Sequence, residues 1–182
     1  MTARPKQRAA RRPLLVIDGD SFAHRAYHAL PKNILRDGRG PAGAILGFAN
    51  RLLQLYRTER PRTVLVGWDT LEAATYRHDA FAAYQSGREF DDDLVEQLAL
   101  IPKFVAACGF ANAKRAGYEA DDFLAAAASA GEWRGDAVLV ASGDRDTFQL
   151  ASARTTILYP LRAGGDGADR AGTGARTLRC RA

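Results

Sequence analysis

The sequence predicts an α/β fold, a three-layer sandwich with a mostly parallel central sheet, and three observations carry that reading. Short β-type runs such as PLLVID, TVLVGWD and DAVLVAS alternate with longer helical stretches, the pattern of a parallel sheet covered by helices on both faces. With 182 residues, 47% of them hydrophobic, the chain suits one globular domain with a sizeable core. Finally, acidic residues recur at the ends of the apolar runs, in VIDGDS, GYEADDF and ASGDRDTFQL, although the net charge is +5.

The elements follow in order. PLLVID reads as a buried strand and SFAHRAYHAL as a helix with Ser21 placed to cap its first turn. A Gly/Pro-rich loop, PKNILRDGRGPAG, comes next. AILGFANRLLQLYRTE then spaces Ile45, Phe48, Leu52, Leu55 and Tyr56 along one helical face. TVLVGWD is a second strand. LVEQLALIPKFVAAC is helical, with Pro102 expected to bend or split it. FANAK gives a short third strand, YEADDFLAAAASA a helix, DAVLVAS a strand, RDTFQLA a short helix and RTTILY a last strand.

The flanks differ in composition. Residues 1–12 form a basic arm, the domain proper spans 13–160, and residues 161–182 are a Gly/Ala/Arg-rich tail with almost no apolar periodicity. Such a tail cannot bury enough surface to offset its ordering entropy, so it is expected to be disordered or the product of a shifted reading frame. Behind the basic start only four apolar residues, LLVI, precede Asp18, too few for a secretory core or a membrane helix. A soluble, cytoplasmic protein is expected. Two distant cysteines, Cys108 and Cys180, make neither a disulfide framework nor a zinc pattern, and Cys108 reads as a small core residue.

The acids pose the functional question. Asp18 ends the first strand, Asp69 ends the second, and Asp144 with Asp146 follows VLVAS. In open parallel sheets ligands bind beyond the carboxyl ends of the strands. Glu119, Asp121 and Asp122 open a helix, and Glu119 and Asp122, three apart, share a face. Two readings compete. Acids in a first helical turn favour the positive end of the helix dipole, and an Asp closing a strand is an ordinary turn residue. Alternatively the acids converge on a cation. Two carboxylates about 4 Å apart repel by roughly 4 kcal/mol at an effective dielectric of 20, and a divalent ion reverses that sign. Oxygen-only donors select Mg²⁺ or Mn²⁺ over zinc. The glycines of GRGPAG (Gly38, Gly40, Gly43) match a dinucleotide fingerprint in letters only: they follow a loop instead of a strand, and Pro41 removes an amide.

Taken together, VIDGDSFAHRAYHALP, YRHDAFAAYQSGR, GYEADDFLA and SGDRDTFQLAS resemble, in order and spacing, the 5′→3′ exonuclease domain attached to bacterial DNA polymerase I. The wider group is the flap endonuclease family of PIN-like nucleases, and the resemblance covers residues 13 to 160. It implies a two-metal phosphodiesterase acting at 5′ ends, flaps and nicks in DNA and on RNA–DNA primers in replication and repair. It further implies a nucleoid-associated monomer, with a DNA polymerase as a partner. Asp18, Asp69, Glu119, Asp121, Asp122, Asp144 and Asp146 match the family's catalytic metal-site acids, which would hold two Mg²⁺ or Mn²⁺ ions. The stretch from Tyr76 to Arg88 resembles the family's helical arch. There Arg77 and Arg88 would contact phosphates, Tyr84 would stack on a base, and His78 is either a phosphate contact or a helix-surface residue. Arg25 resembles a further phosphate contact near the metals.

Two departures from the family pattern modify these expectations. Gln85 stands where the family carries a lysine beside the reacting phosphate. Losing such an electrostatic stabiliser commonly costs about 10² to 10³ in rate, so slow turnover, or a branched-DNA binder without hydrolysis, is expected. The family pattern also continues into a G-D-x-S-D-N-type segment with two more metal-site aspartates, then a helix–hairpin–helix region that grips duplex DNA. Where these would begin this chain has its Gly/Ala/Arg tail, as in a truncated or frameshifted product.

Overall fold

The computed structural model describes residues 11–38, 40–70, 91–160 and 177–180. Its elements are β1 (Leu14–Asp18), α1 (Gly19–Ala29), α2 (Gly43–Glu59), β2 (Thr63–Gly67), α3 (Asp92–Ala107), β3 (Ala111–Ala113), α4 (Ala120–Trp133), β4 (Val138–Ala141), a 3₁₀ helix (Arg145–Leu150), β5 (Thr155–Pro160) and β6 (Thr177–Cys180). The six strands form one sheet in the order β3-β2-β1-β4-β5-β6. All neighbouring pairs are parallel except β5 with β6.

Alternation along each strand builds the three layers. Leu15 and Ile17 of β1, Val64 and Val66 of β2 and Leu139 and Ala141 of β4 face one side, where α1, α2 and α3 supply Phe22, Phe48, Leu52, Leu98 and Ile101. Val16, Val138, Val140 and Ile157 face the other side, against Leu124 and Ala128 of α4. On α2, Phe48, Leu52 and Leu55 are buried as the spacing predicts, whereas Tyr56 is 38% exposed and lies against Phe110. Ala42, at the start of α2, has no side-chain cap. Its place is taken across the layer by buried Gln97 of α3, whose Oε1 accepts from Ala44 N at 2.8 Å.

Several local expectations are corrected. The first helix is capped by Asp18 and not by Ser21: Asp18 Oδ1 accepts from Ser21 N at 2.9 Å. The strand's last residue is thus also the helix's first hydrogen-bond acceptor, so no linker is needed. Pro102 does not split α3, which runs as one helix through it. Cys108 is half-buried instead of fully inside. The GRGPAG loop is closed by a bridge between Leu35 and Pro41. In the tail expected to be unstructured, Thr177–Cys180 form an antiparallel edge strand with Cys180 opposite Ile157. An edge strand is held by backbone hydrogen bonds on one side, which leave little trace in apolar periodicity. The arch expected over Tyr76–Arg88 lies outside the described residues.

Candidate metal centre

Strand order decides where the site lies. From β1 the chain adds β2 and then β3 on one flank, and returns to add β4 and β5 on the other. The carboxyl ends of β1 and β4 therefore bracket the point at which the order reverses, where α/β sheets open a crevice. Register runs Ile17 opposite Ala141, so Asp18 and Ser142 come next on either side. The buried Ser142 Oγ donates to Asp18 Oδ2 at 2.7 Å and accepts from Asp144 N at 2.9 Å. Ser21 Oγ accepts from Gly143 N at 3.0 Å. One serine from each side thus ties the β1 turn to the β4 turn.

The other flank is built by close approach. Asp18 is in register with Gly67, and a β-carbon at Gly67 would lie 3.0 Å from Ala120 O. Glycine here lets the start of α4 rest against β2. The contact is completed by Ala120 N, which donates to Asp69 Oδ1 at 2.7 Å. Asp69 N in turn donates to Asp20 Oδ2 at 2.6 Å.

The result is an open pocket of about 830 Å³ lined by Asp18, Asp69, Glu119, Asp121, Asp144 and Asp146. Six of the seven acids marked in the sequence thus meet. The seventh, Asp122, does not line it: its carboxylate accepts from Glu119 N at 2.9 Å in a capping box. Two further acids do, Asp20 and Asp91, neither of them singled out from the sequence. Asp20 sits two positions after Asp18 across the strand–helix junction, and that spacing was its only signal. His24, His28 and Lys32 also line the pocket.

Burial and mutual repulsion leave a mark on the floor. Burial pushes the Asp18 carboxyl up to about 6 against hydrogen bonds from Ser142 and Ser21, with the charges of Asp69 and Asp144 adding to the rise. Asp20 is pushed up to about 7, again chiefly by burial and then by the charge of Asp69, while Lys114 pulls the other way. Buried anions that resist ionisation are relieved by a cation.

Among the described residues no three of these acids stand close enough to enclose an ion by themselves. The donors line a wide pocket instead. That suits a small hard cation which keeps several waters and takes one or two carboxylates at a time. The all-oxygen donor set and the disfavoured charge at Asp18 and Asp20 fit such a group.

The predicted nucleic-acid contacts fare differently. Arg25 is not among the pocket's lining residues. Its guanidinium donates to Gly143 O at 3.4 Å and Pro160 O at 3.2 Å and stands 5.8 Å from the Tyr159 ring centroid. It braces the β4 and β5 ends. Arg77, His78, Tyr84, Gln85 and Arg88 lie outside the described residues. No helix among the described residues is long and apolar enough to cross a membrane.

A family model described as the 5′-3′ exonuclease, N-terminal resolvase-like domain matches residues 13–174. The thermostable DNA polymerase I of Thermus thermophilus is 38% identical over 148 residues, covering 81% of this chain and 18% of the polymerase. The chain therefore spans under a fifth of such relatives. Among solved structures, T5 5′-exonuclease with bound divalent zinc superposes with a TM-score of 0.56 at 19% identity, over 80% of this chain and 54% of that one. Human GEN1 in complex with Holliday junction DNA gives 0.56 at 13% identity, over 93% and 38%.

Proposed function

The chain belongs to the family of 5′-3′ exonuclease N-terminal, resolvase-like domains, and from that membership we propose that its carboxylate pocket hydrolyses phosphodiesters in DNA at 5′ ends, flaps and nicks. RNA–DNA primers are included among the substrates, and a DNA polymerase is the proposed partner of a monomeric, cytoplasmic protein working in replication and repair. The observation that carries this reading is the convergence of six acids from separate strand and helix ends on one pocket at the switch point of the sheet.

Asp18, Asp69, Glu119, Asp121, Asp144 and Asp146 would hold Mg²⁺ or Mn²⁺, and Asp20 is added to that set. Bound ions of this kind lower the pKa of an attacking water and stabilise the leaving 3′ oxygen. The chain's own part is to position and to exclude. Ser142 fixes the rotation of the Asp18 carboxylate through Oδ2 while Ser21 N holds Oδ1. Ala120 N fixes Asp69, so the two central carboxylates present a defined arrangement to the ions. The Lys32 ammonium in the pocket lining offsets part of its negative charge toward an approaching phosphate strand.

Incubation with a 5′-flap substrate and Mg²⁺ or Mn²⁺ is expected to release short oligonucleotides, and Asp144→Asn to abolish their release. A second reading, a binder of branched DNA without hydrolysis, is favoured by Gln85 in the position of the family's lysine. Salt-sensitive binding with no product at any metal concentration would select it.

A further inference from the structure

We propose that Tyr118, with Arg115 and Lys114, forms a stacking platform for one unpaired base at the margin of the carboxylate pocket, the two cations taking the flanking phosphates. The proposal rests on the nuclease reading for its substrate class.

The platform is built. Lys114, Arg115 and Ala116 are an exposed run, and Tyr118 is 41% exposed, an unusual concentration of cations and aromatic surface around one turn. Three hydrogen bonds to backbone carbonyls clamp the turn: Trp68 N donates to Ala113 O at 2.9 Å, the Thr70 side chain Oγ1 to Arg115 O at 2.7 Å, and Tyr118 N to Arg115 O at 3.2 Å. Thr70 follows Asp69 directly, so the clamp fixes the platform to the same turn that carries a pocket acid. Gly117 takes a φ of +87°, a conformation that glycine adopts without strain, and turns the chain so that Tyr118 leads straight into Glu119.

The side chains are arranged as a recognition surface. The Arg115 guanidinium stands over the Tyr118 ring with Cζ 5.7 Å from its centroid. Phe123 braces the ring at 6.2 Å. Lys114 is close enough for its charge to act on the Asp20 carboxyl in the pocket. A ring paired with a guanidinium beside a cation is the combination that holds single strands without sequence preference: the ring stacks on any base and the cations track the backbone. A base inside a duplex has both faces occupied, so this surface selects an unpaired one.

The test is anisotropy of a labelled oligothymidylate with the full chain in EDTA, where no cleavage occurs. Tyr118→Leu keeps apolar bulk against Phe123 but has no ring to stack, and is expected to weaken binding about five-fold or more; Tyr118→Phe retains the wild-type affinity. The double variant Lys114→Gln, Arg115→Gln is expected to reduce the slope of log K against log salt by about 1.4, about 0.7 for each phosphate contact on a single strand. An unchanged affinity in Tyr118→Leu, an unchanged slope in the double variant, or no binding by the wild type overturns the platform. Flap cleavage by the wild type in Mg²⁺ is scored separately. Cleavage without platform-dependent binding overturns the platform alone. Platform-dependent binding without cleavage supports the platform and overturns the nuclease reading.

Discussion

Folding presses charges together at Asp20, and Asp20→Asn isolates that cost. The carboxyl moves from an ordinary 3.8 to about 7 on folding, chiefly through burial and then through the charge of Asp69. A tenfold change in a proton affinity is about 1.36 kcal/mol, so an ionised Asp20 costs the folded state about 4 kcal/mol at most. The sign follows from proton counting. Between about pH 4 and pH 7 the folded state binds more protons at this group than the unfolded state. The stability contributed by this group is therefore fully present below about pH 4, falls as pH rises through the window, and levels off above about pH 7. Asparagine keeps the shape and an oxygen for the bond from Asp69 N, but it cannot ionise.

In EDTA the variant is thus expected to match the wild type near pH 4 and to exceed it at pH 8, by about 1–3 kcal/mol once relaxation around the charge is allowed for. Urea unfolding at the two pH values reads this directly. Adding Mn²⁺ at pH 8 should reverse the order, because an ion that binds only the folded state stabilises it in proportion to its occupancy, and the variant has lost a donor. Equal urea midpoints for both proteins at pH 8 in EDTA would refute the account of a buried, repelled carboxylate.

Other substitutions separate site from scaffold. Asp122→Ala should cost about 0.5–2 kcal/mol of stability through the lost capping box and leave Mn²⁺ affinity largely intact. Asp121→Ala should do the reverse, with calorimetric titration and urea melts scoring the pair. Ser142→Ala leaves Asp144 N and Asp18 Oδ2 without their buried partner, so a loss of about 1–3 kcal/mol is expected at pH 8 in urea melts. Gly47→Ala puts a β-carbon 2.5 Å from Ala26 Cβ, where α1 and α2 cross. Overpacking of about 1–3 kcal/mol outweighs the roughly 1 kcal/mol gained in helix propensity, so a lower thermal midpoint is expected.

How much of this was legible in the sequence depends on the range of the cause. Strand and helix identities were, because Leu15 with Ile17 and Leu14 with Val16 sort onto two faces by alternation alone. The meeting of Asp18, Asp69 and Asp144 was also within reach, since each ends a parallel strand and parallel strands end on one side. Ser142's link to Asp18 was not, for it depends on β4 being laid beside β1 after β2 and β3, an order that no local pattern encodes. Nor was the cap on α2, supplied by a glutamine 53 positions away in the chain.

The pair Asp121 and Asp122 shows the limit most sharply. Spacing says that Glu119 and Asp122 share a helix face, and they do. Both are engaged in the capping box, yet only Glu119 also lines the pocket, because the Asp122 carboxylate turns back to the amide of Glu119 and closes the helix end. Here the Glu119–Asp122 pair makes the reciprocal bonds of a capping box, with long and short residue types reversed from the usual S/T-x-x-E/Q. Asp121, one position earlier, is rotated about a quarter-turn around the helix and lines the pocket instead. A run of acids at a helix start is therefore divided by angle: the Asp122 carboxylate satisfies the backbone, Asp121 faces the pocket, and the charge of the first turn favours both.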